Sequence, residues 1–427
     1  MFRQSGNDKL IVGYDIGEEN VQISYFMAEQ NTVETLSTVA GEEAYNIPIA
    51  LCKREGVNQW FLGKDAYKYA SEEQGTLVDG LIGHALDRET VMVEGEEFDP
   101  VALLTLFFKR SLSLLSTIGN PDKIAAIMFT CEKLDRPLIT LLSTVAANLK
   151  LKTEQIFFQS HTESFYYFML NQPEELWLTK ALLFEYRNDN MKVYRMQCNK
   201  QTTPIVAYID DGDFTFTPYE PMPEEEKMRA DKCKKLDDEF LKLAQNICQG
   251  DLISSVYLIG DCFTDEWMAQ SLRYLCKGQR VFKGNNLYSK GACFGALERL
   301  RASKQGQEHV FLGNDKLTSN IGMKVLRRGE ETYIALLDAG VNWYEADCVQ
   351  ELFLREGDYI ELIATSLIGK GTKTLRMTLE EFQVPVARLI VHLSLSRENC
   401  LRIEVEDMGF GEFYEATHKV WVQEAEI

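Results

Sequence analysis

Leu10-Ile11-Val12-Gly13-Tyr14-Asp15-Ile16-Gly17, followed by Val21-Gln22-Ile23-Ser24-Tyr25-Phe26, reads as strand, tight turn and second strand. An aspartate and a glycine two residues apart in such a turn have a chemical use. The glycine lets backbone approach whatever sits in the turn, and the carboxylate can hold a metal-bound water beside a phosphate. A plain hairpin with a turn aspartate satisfies the same eight residues, so the rest of the chain has to decide between them.

At 427 residues the chain is long enough for two or three domains with separate cores, and its 45% apolar content is ordinary for globular proteins. A formal net charge of -20 argues against nucleic acid or an anionic membrane surface as a partner, because phosphate binding needs basic stripes. Ten cysteines lie singly from Cys52 to Cys400 with no Cys-x-x-Cys, the pattern of reduced thiols in the cytoplasm. No signal peptide is expected, and no apolar run approaches the ~20 residues that span a bilayer. The five histidines are far apart in sequence and are expected to be structural, His161 included.

Four further segments follow the opening hairpin in a telling order. They are Asn46-Ile-Pro48 with Trp60-Phe-Leu-Gly63-Lys-Asp-Ala66, then Ile124 to Thr130 with Arg136 to Leu149 and Gln159-Ser-His-Thr162. Next come Leu182 to Met196, and Ser255-Val-Tyr-Leu-Ile-Gly260-Asp261 with Ser289-Lys-Gly291-Ala-Cys-Phe-Gly295-Ala296. Taken in order, they resemble the phosphate loops, connecting segment and adenosine loop of the seventy-kilodalton heat-shock chaperones of the actin-like ATPase superfamily. The resemblance implies an α/β two-lobed actin-like (ribonuclease H-like) ATPase fold. Lobe I would be residues 1–180 and a reduced lobe II residues 181–302, its upper subdomain largely missing because only about 60 residues separate Met196 from Gly260.

From about residue 312 the texture changes. Leu389, Val391, Leu393 and Leu395 alternate with Ile390, His392 and Ser394, and Leu401, Ile403 and Val405 with Arg402, Glu404 and Glu406, with Ser396 to Cys400 a connection of hairpin length. Turns such as Arg328-Gly329 and Glu356-Gly357 complete the signature of an antiparallel β-sandwich over 312–427. By resemblance this is a chaperone's substrate-binding sandwich, and no helical lid is expected after it. The connector Ala302 to Glu308 lacks the apolar, acid-ended linker of the family.

The resemblance assigns a nucleotide cleft to Asp15, Gly17, Glu185, Gly260 and Asp261, with Asp15 and Glu185 as the catalytic pair if the protein is active. Asp15 would then hold Mg²⁺ through water. The departures argue against activity. Glu18 and Glu19 replace the two threonines of the first loop, and a carboxylate about 4 Å from a phosphate charge is repelled by roughly 4 kcal/mol at an effective dielectric near 20. Glu185 to Asn190 replaces an aspartate and glycine-rich loop, and Arg187 could compensate or Asn188-Asp189 could simply turn a hairpin. Ser160 stands where the family has glutamate, the catalytic lysine falls in a deletion near Asp79 to Gly83, and Glu163 to Phe168 is aromatic where the family is alanine-rich.

The sequence therefore favours a degenerate relative without cofactor, acting as a scaffold or adaptor for protein partners. A divergent Mg-ATP-dependent ATPase is the first alternative. A nucleotide-independent module gripping unfolded peptide is the second.

Overall fold

The computed structural model describes residues 10–152, 155–187, 189–367, 371–382 and 386–427. The chain divides into two compact units, one up to His309 and one from Val310 to Ile427.

The amino-terminal unit is built on two mixed sheets with one topology. In the first, the strands run in the order Ile156–Ser160, Ile124–Cys131, Leu10–Ile16, Asn20–Met27, Thr32–Thr35. In the second, the matching order is Arg280–Gly284, Ile253–Ile259, Lys180–Arg187, Asn190–Asn199, Ile205–Thr215. In each, the third of these strands pairs in parallel with one neighbour and antiparallel with the other. Both central strands, Leu10–Ile16 and Lys180–Arg187, are buried along nearly their whole length, as near-continuous apolar runs predict for strands covered on both faces. The duplicated α/β arrangement fits the two-lobed expectation.

The helices that follow the sheets are exchanged. Helix His161–Leu170 leaves the first sheet but sets Phe165 and Phe168 edge-on to Tyr257 of the second, at 6.3 and 5.7 Å. Helix Leu287–Leu300 leaves the second sheet and packs on the first, with Ala292 and Ala296 against Ala126 and Met128. Ser289 Oγ lies 2.8 Å from Ser24 Oγ. Glycine makes this approach possible: a Cβ on Gly13 would stand 2.2 Å from Ser289 O, and one on Gly291 2.0 Å from Ser164 O. Phe165 and Tyr166 of helix His161–Leu170 are buried.

Strand Ile205–Thr215 and helix Glu226–Cys248 account for most of the segment between Asn199 and Ile253, with no further layer. In that helix Leu236 and Phe240 are buried, and Leu243 and Ile247 pack against the same core. Met228, in the first turn of that helix, is 55% exposed.

The carboxy-terminal unit has two four-stranded sheets. One runs Glu330–Leu337, Ser319–Arg327, Tyr359–Ser366, Thr372–Thr378; the other runs Asp347–Leu354, Ala387–Arg397, Cys400–Asp407, Val420–Glu426. Alternate residues from both fill one core, including Leu389, Val391, Leu393, Ile403 and Leu362, all fully buried. Arg328 and Gly329 both have positive φ, 55° and 87°, as a two-residue hairpin turn that follows the strand twist requires.

Candidate functional site

Asp15 and Glu185 end the central strands of the two sheets, in equivalent places, and both are buried. The side chains between them come from residues the sequence had not singled out as functional. His161 is the first residue of its helix, whose N-cap Ser160 accepts a bond from Glu163 N–H. Its Nε2 donates to Asp15 Oδ1 at 2.8 Å. The imidazole stacks on the Tyr288 ring, centroids 3.9 Å apart and planes within 8°. Tyr288 donates its hydroxyl to Glu185 Oε2 at 2.9 Å. Asp15 and Glu185 are thus joined through a histidine and a tyrosine, one from each exchanged helix.

The chain of contacts continues outward. Arg187 Nε donates to Glu185 Oε1 at 2.8 Å, and both Arg187 and Lys192 pair with Glu132. Burial alone would raise the Glu132 carboxyl, but the bonds from Lys192 and Arg187 outweigh it and hold the group down at about 2. Burial, and then the Glu185 charge, push the Tyr288 phenol well above its ordinary range, so it remains a donor. Arg187 is already paired with two carboxylates, so it is not a spare charge for an incoming anion. Asn188 of the expected turn lies outside the described residues, and the flanking strands pair from Ala181 with Met196 to Arg187 with Asn190.

A second set of bonds surrounds Asp261. Asp261 accepts from Asn46 Nδ2 at 2.9 Å and from Asn285 Nδ2 at 3.0 Å, while Gln22 Nε2 donates to Asn46 Oδ1 at 2.6 Å. Gly17 closes the first turn through its N–H to Asn20 O at 2.9 Å. Gly260 has φ of 107°, and a Cβ there would meet Tyr186 O at 2.6 Å. Glu18 and Glu19 are exposed. Among the described residues no group of three or more His, Cys, Asp or Glu side chains is arranged to hold a metal ion, and no helix is long and apolar enough to cross a membrane.

The sequence missed His161 and Tyr288. His161 is expected from the sequence only as a structural residue, and Tyr288 immediately precedes the segment matched to the closing helix. An aromatic or imidazole one residue inside a helix start has no periodicity to mark it. Replacing Tyr288 by phenylalanine leaves Glu185 Oε2 without its donor in a buried place, and should lower the stability of this unit by ~1–3 kcal/mol in urea titrations. An unchanged midpoint would remove the bridge from the account.

A groove of about 690 Å³ lies elsewhere in this unit, lined by residues such as Arg88, Phe98, Val101, Pro137 and Leu141. None of the residues assigned to the cleft lines it.

Comparison with known proteins places two family models on the chain. One, "Family of unknown function (DUF5716) C-terminal", matches residues 32–314; the other, "Domain of unknown function (DUF8552)", matches residues 316–427. No curated protein matches the chain. Among solved structures, a non-polymerising MamK mutant bound to AMPPNP is similar at 10% identity and a TM-score of 0.40, over 70% of this chain and all of that one. With the first family model covering residues 32–314, well over half of its length, the chain belongs to the family described as "Family of unknown function (DUF5716) C-terminal".

Proposed function

We propose that this protein is a protein-interaction scaffold on a two-lobed actin-like frame, and that it does not hydrolyse ATP. The observation that carries the reading is the bridge from Asp15 through His161 and Tyr288 to Glu185. The two carboxylates that would flank a metal and its phosphates are engaged by side chains of the protein itself. Phosphoryl transfer depends on positioning and electrostatics, so a site whose positioning groups are spent on one another has little left to supply. The carboxylates at Glu18 and Glu19 add repulsion toward a polyphosphate. The acidic balance of the chain supports protein rather than nucleic acid as the partner.

The experiment is calorimetric titration of the full chain with ATP and with ADP in the presence of Mg²⁺. The expected result is no heat up to millimolar nucleotide, together with an unshifted thermal midpoint. Binding in the micromolar range would overturn the reading and put a divergent ATPase in its place. In that case Asp15→Ala should abolish phosphate release.

A further inference from the structure

The loop that leaves strand Cys400–Asp407 holds phenylalanines in water, and the chain spends buried polar groups to do so. Asp407 is 3% exposed. Its Oδ1 accepts from Gly409 N–H at 2.9 Å, and its Oδ2 accepts from the Thr417 hydroxyl at 2.6 Å and from Thr417 N–H at 3.3 Å. Backbone bonds from Phe410 N to Tyr414 O and from Phe413 N to Phe410 O close the tip. Gly409 sits at φ of 65°, where a Cβ would meet Tyr414 O at 2.4 Å, so the loop has one backbone path. At that tip Phe413 is 80% exposed and Phe410 36%, and Phe353, near the end of strand Asp347–Leu354 two strands away in the same sheet, is 60% exposed. The rings of Phe353, Phe410 and Phe413 follow one another with centroids 6.0 Å apart at each step.

A buried carboxylate needs its full set of donors to be tolerated, and exposed phenylalanines gain nothing for folding. A preordered loop does lower the cost of association, and aromatic side chains held rigidly are the usual anchors of protein interfaces. The surroundings select the partner's charge. Glu412 and Glu415 on the same loop are exposed and make no ion pair among the described residues, whereas Glu351 is offset by Arg388, the cross-strand neighbour of Phe353, at 3.9 Å. Carboxylates around the rings disfavour an anionic lipid surface. They also disfavour a second copy, which would bring the same charges face to face across a two-fold axis.

We infer that the Phe353, Phe410 and Phe413 cluster is a docking surface for a folded protein partner that offers an apolar pocket rimmed by lysine or arginine. This rests on the scaffold reading and gives it a location and a partner chemistry. The test places the photo-crosslinking residue p-benzoylphenylalanine at Phe413 in the full chain, with a control at Met92, an exposed residue of the amino-terminal unit. After irradiation in cells that naturally make the protein, the adducts are mapped by mass spectrometry.

The expected result is an adduct from position 413 on one protein, at apolar residues adjoining lysine or arginine. The paired substitutions Glu412→Lys and Glu415→Lys, on the surface and harmless to folding, should cut its yield about ten-fold by reversing the steering charge. Adducts to lipid, to a second copy or to the amino-terminal unit overturn the inference, as does a yield indifferent to charge reversal. A protein adduct from Met92 with none from position 413 overturns this docking surface yet leaves the scaffold reading standing, whereas that reading falls to the nucleotide titration.

Discussion

Gly291→Ala is expected to unfold the amino-terminal unit at room temperature, or to leave it so unstable that it aggregates on expression. The added Cβ would lie 2.0 Å from Ser164 O and 2.6 Å from Ser164 C, both backbone atoms of the helix crossing it. Backbone has no rotamer through which to yield, so the two exchanged helices must separate. Separation would loosen the contacts of both helices at once, among them the ring of Phe165 against Tyr257 and that of His161 against Tyr288. The ~1 kcal/mol that alanine gains over glycine in a helix is small beside a loss that should exceed ~4 kcal/mol. The control is Gly83→Ala, in helix Leu81–Asp87, where an added Cβ meets nothing within 4 Å. That change should be neutral or stabilise by up to ~1 kcal/mol. Urea denaturation followed by circular dichroism separates the two. Equal midpoints for Gly291→Ala and the parent would show that the crossing is not as close as described.

Glu132→Gln should lower stability by ~2 kcal/mol at pH 7, with the gap closing in acid. The Glu132 carboxyl is held at about 2, against an ordinary value of 4.5, so its folded pKa is depressed. A depressed carboxylate contributes stability above its unfolded pKa and loses it as pH falls through the folded one. Its contribution is therefore complete above about pH 4.5 and gone near pH 2. The shift by itself would correspond to ~3 kcal/mol, but a third of the side chain is exposed, and solvent screening reduces the figure. Glutamine keeps the shape and removes the charge, which leaves Lys192, with a side chain only 10% exposed, facing Asp213 at 3.9 Å. Urea midpoints of parent and variant at pH 7, 4 and 2.5 measure the gap. A gap of the same size at all three would assign the loss to packing rather than to charge.

How far the sequence reached depended on how local each feature is. The strand Leu10–Ile16 was legible because an unbroken apolar run ending in Asp15-x-Gly17 has one economical reading, a buried strand delivering a carboxylate to a turn. The hairpin of Ala387–Arg397 with Cys400–Asp407 was legible because every second residue is apolar and the pairing of Arg397 with Cys400 leaves two residues for the turn. Helix Arg136–Asn148 carried a face of Leu138, Leu141, Leu142 and Val145 at core spacing, and only the structure shows its cap, Asp135 accepting from Leu138 N–H at 2.8 Å. Helix Glu226–Cys248 shows the limit of periodicity, which marks an apolar stripe from Met228 through Leu236, Phe240 and Leu243 to Ile247 but not how far along it the core extends: Met228 is exposed.

The site was legible only in halves. Asp15 and Gly17 could be named from the strand, turn and strand they sit in, and Glu185 and Gly260 from the resemblance that assigns them to a cleft. That these halves are joined was decided by the tertiary structure. His161 lies 146 residues from Asp15 and Tyr288 lies 103 from Glu185. Contact across such distances follows from the exchange of two helices between two sheets, and that exchange rests on Gly13 and Gly291 removing the Cβ atoms that would hold the backbones apart. Local propensity and period therefore determined which segments are strands and helices and which carboxylates end the strands. Long-range packing alone decided that the space between those carboxylates is bridged by the protein's own histidine and tyrosine, because ring stacking and a buried hydrogen bond depend on where helices cross and leave no periodic trace in the chain.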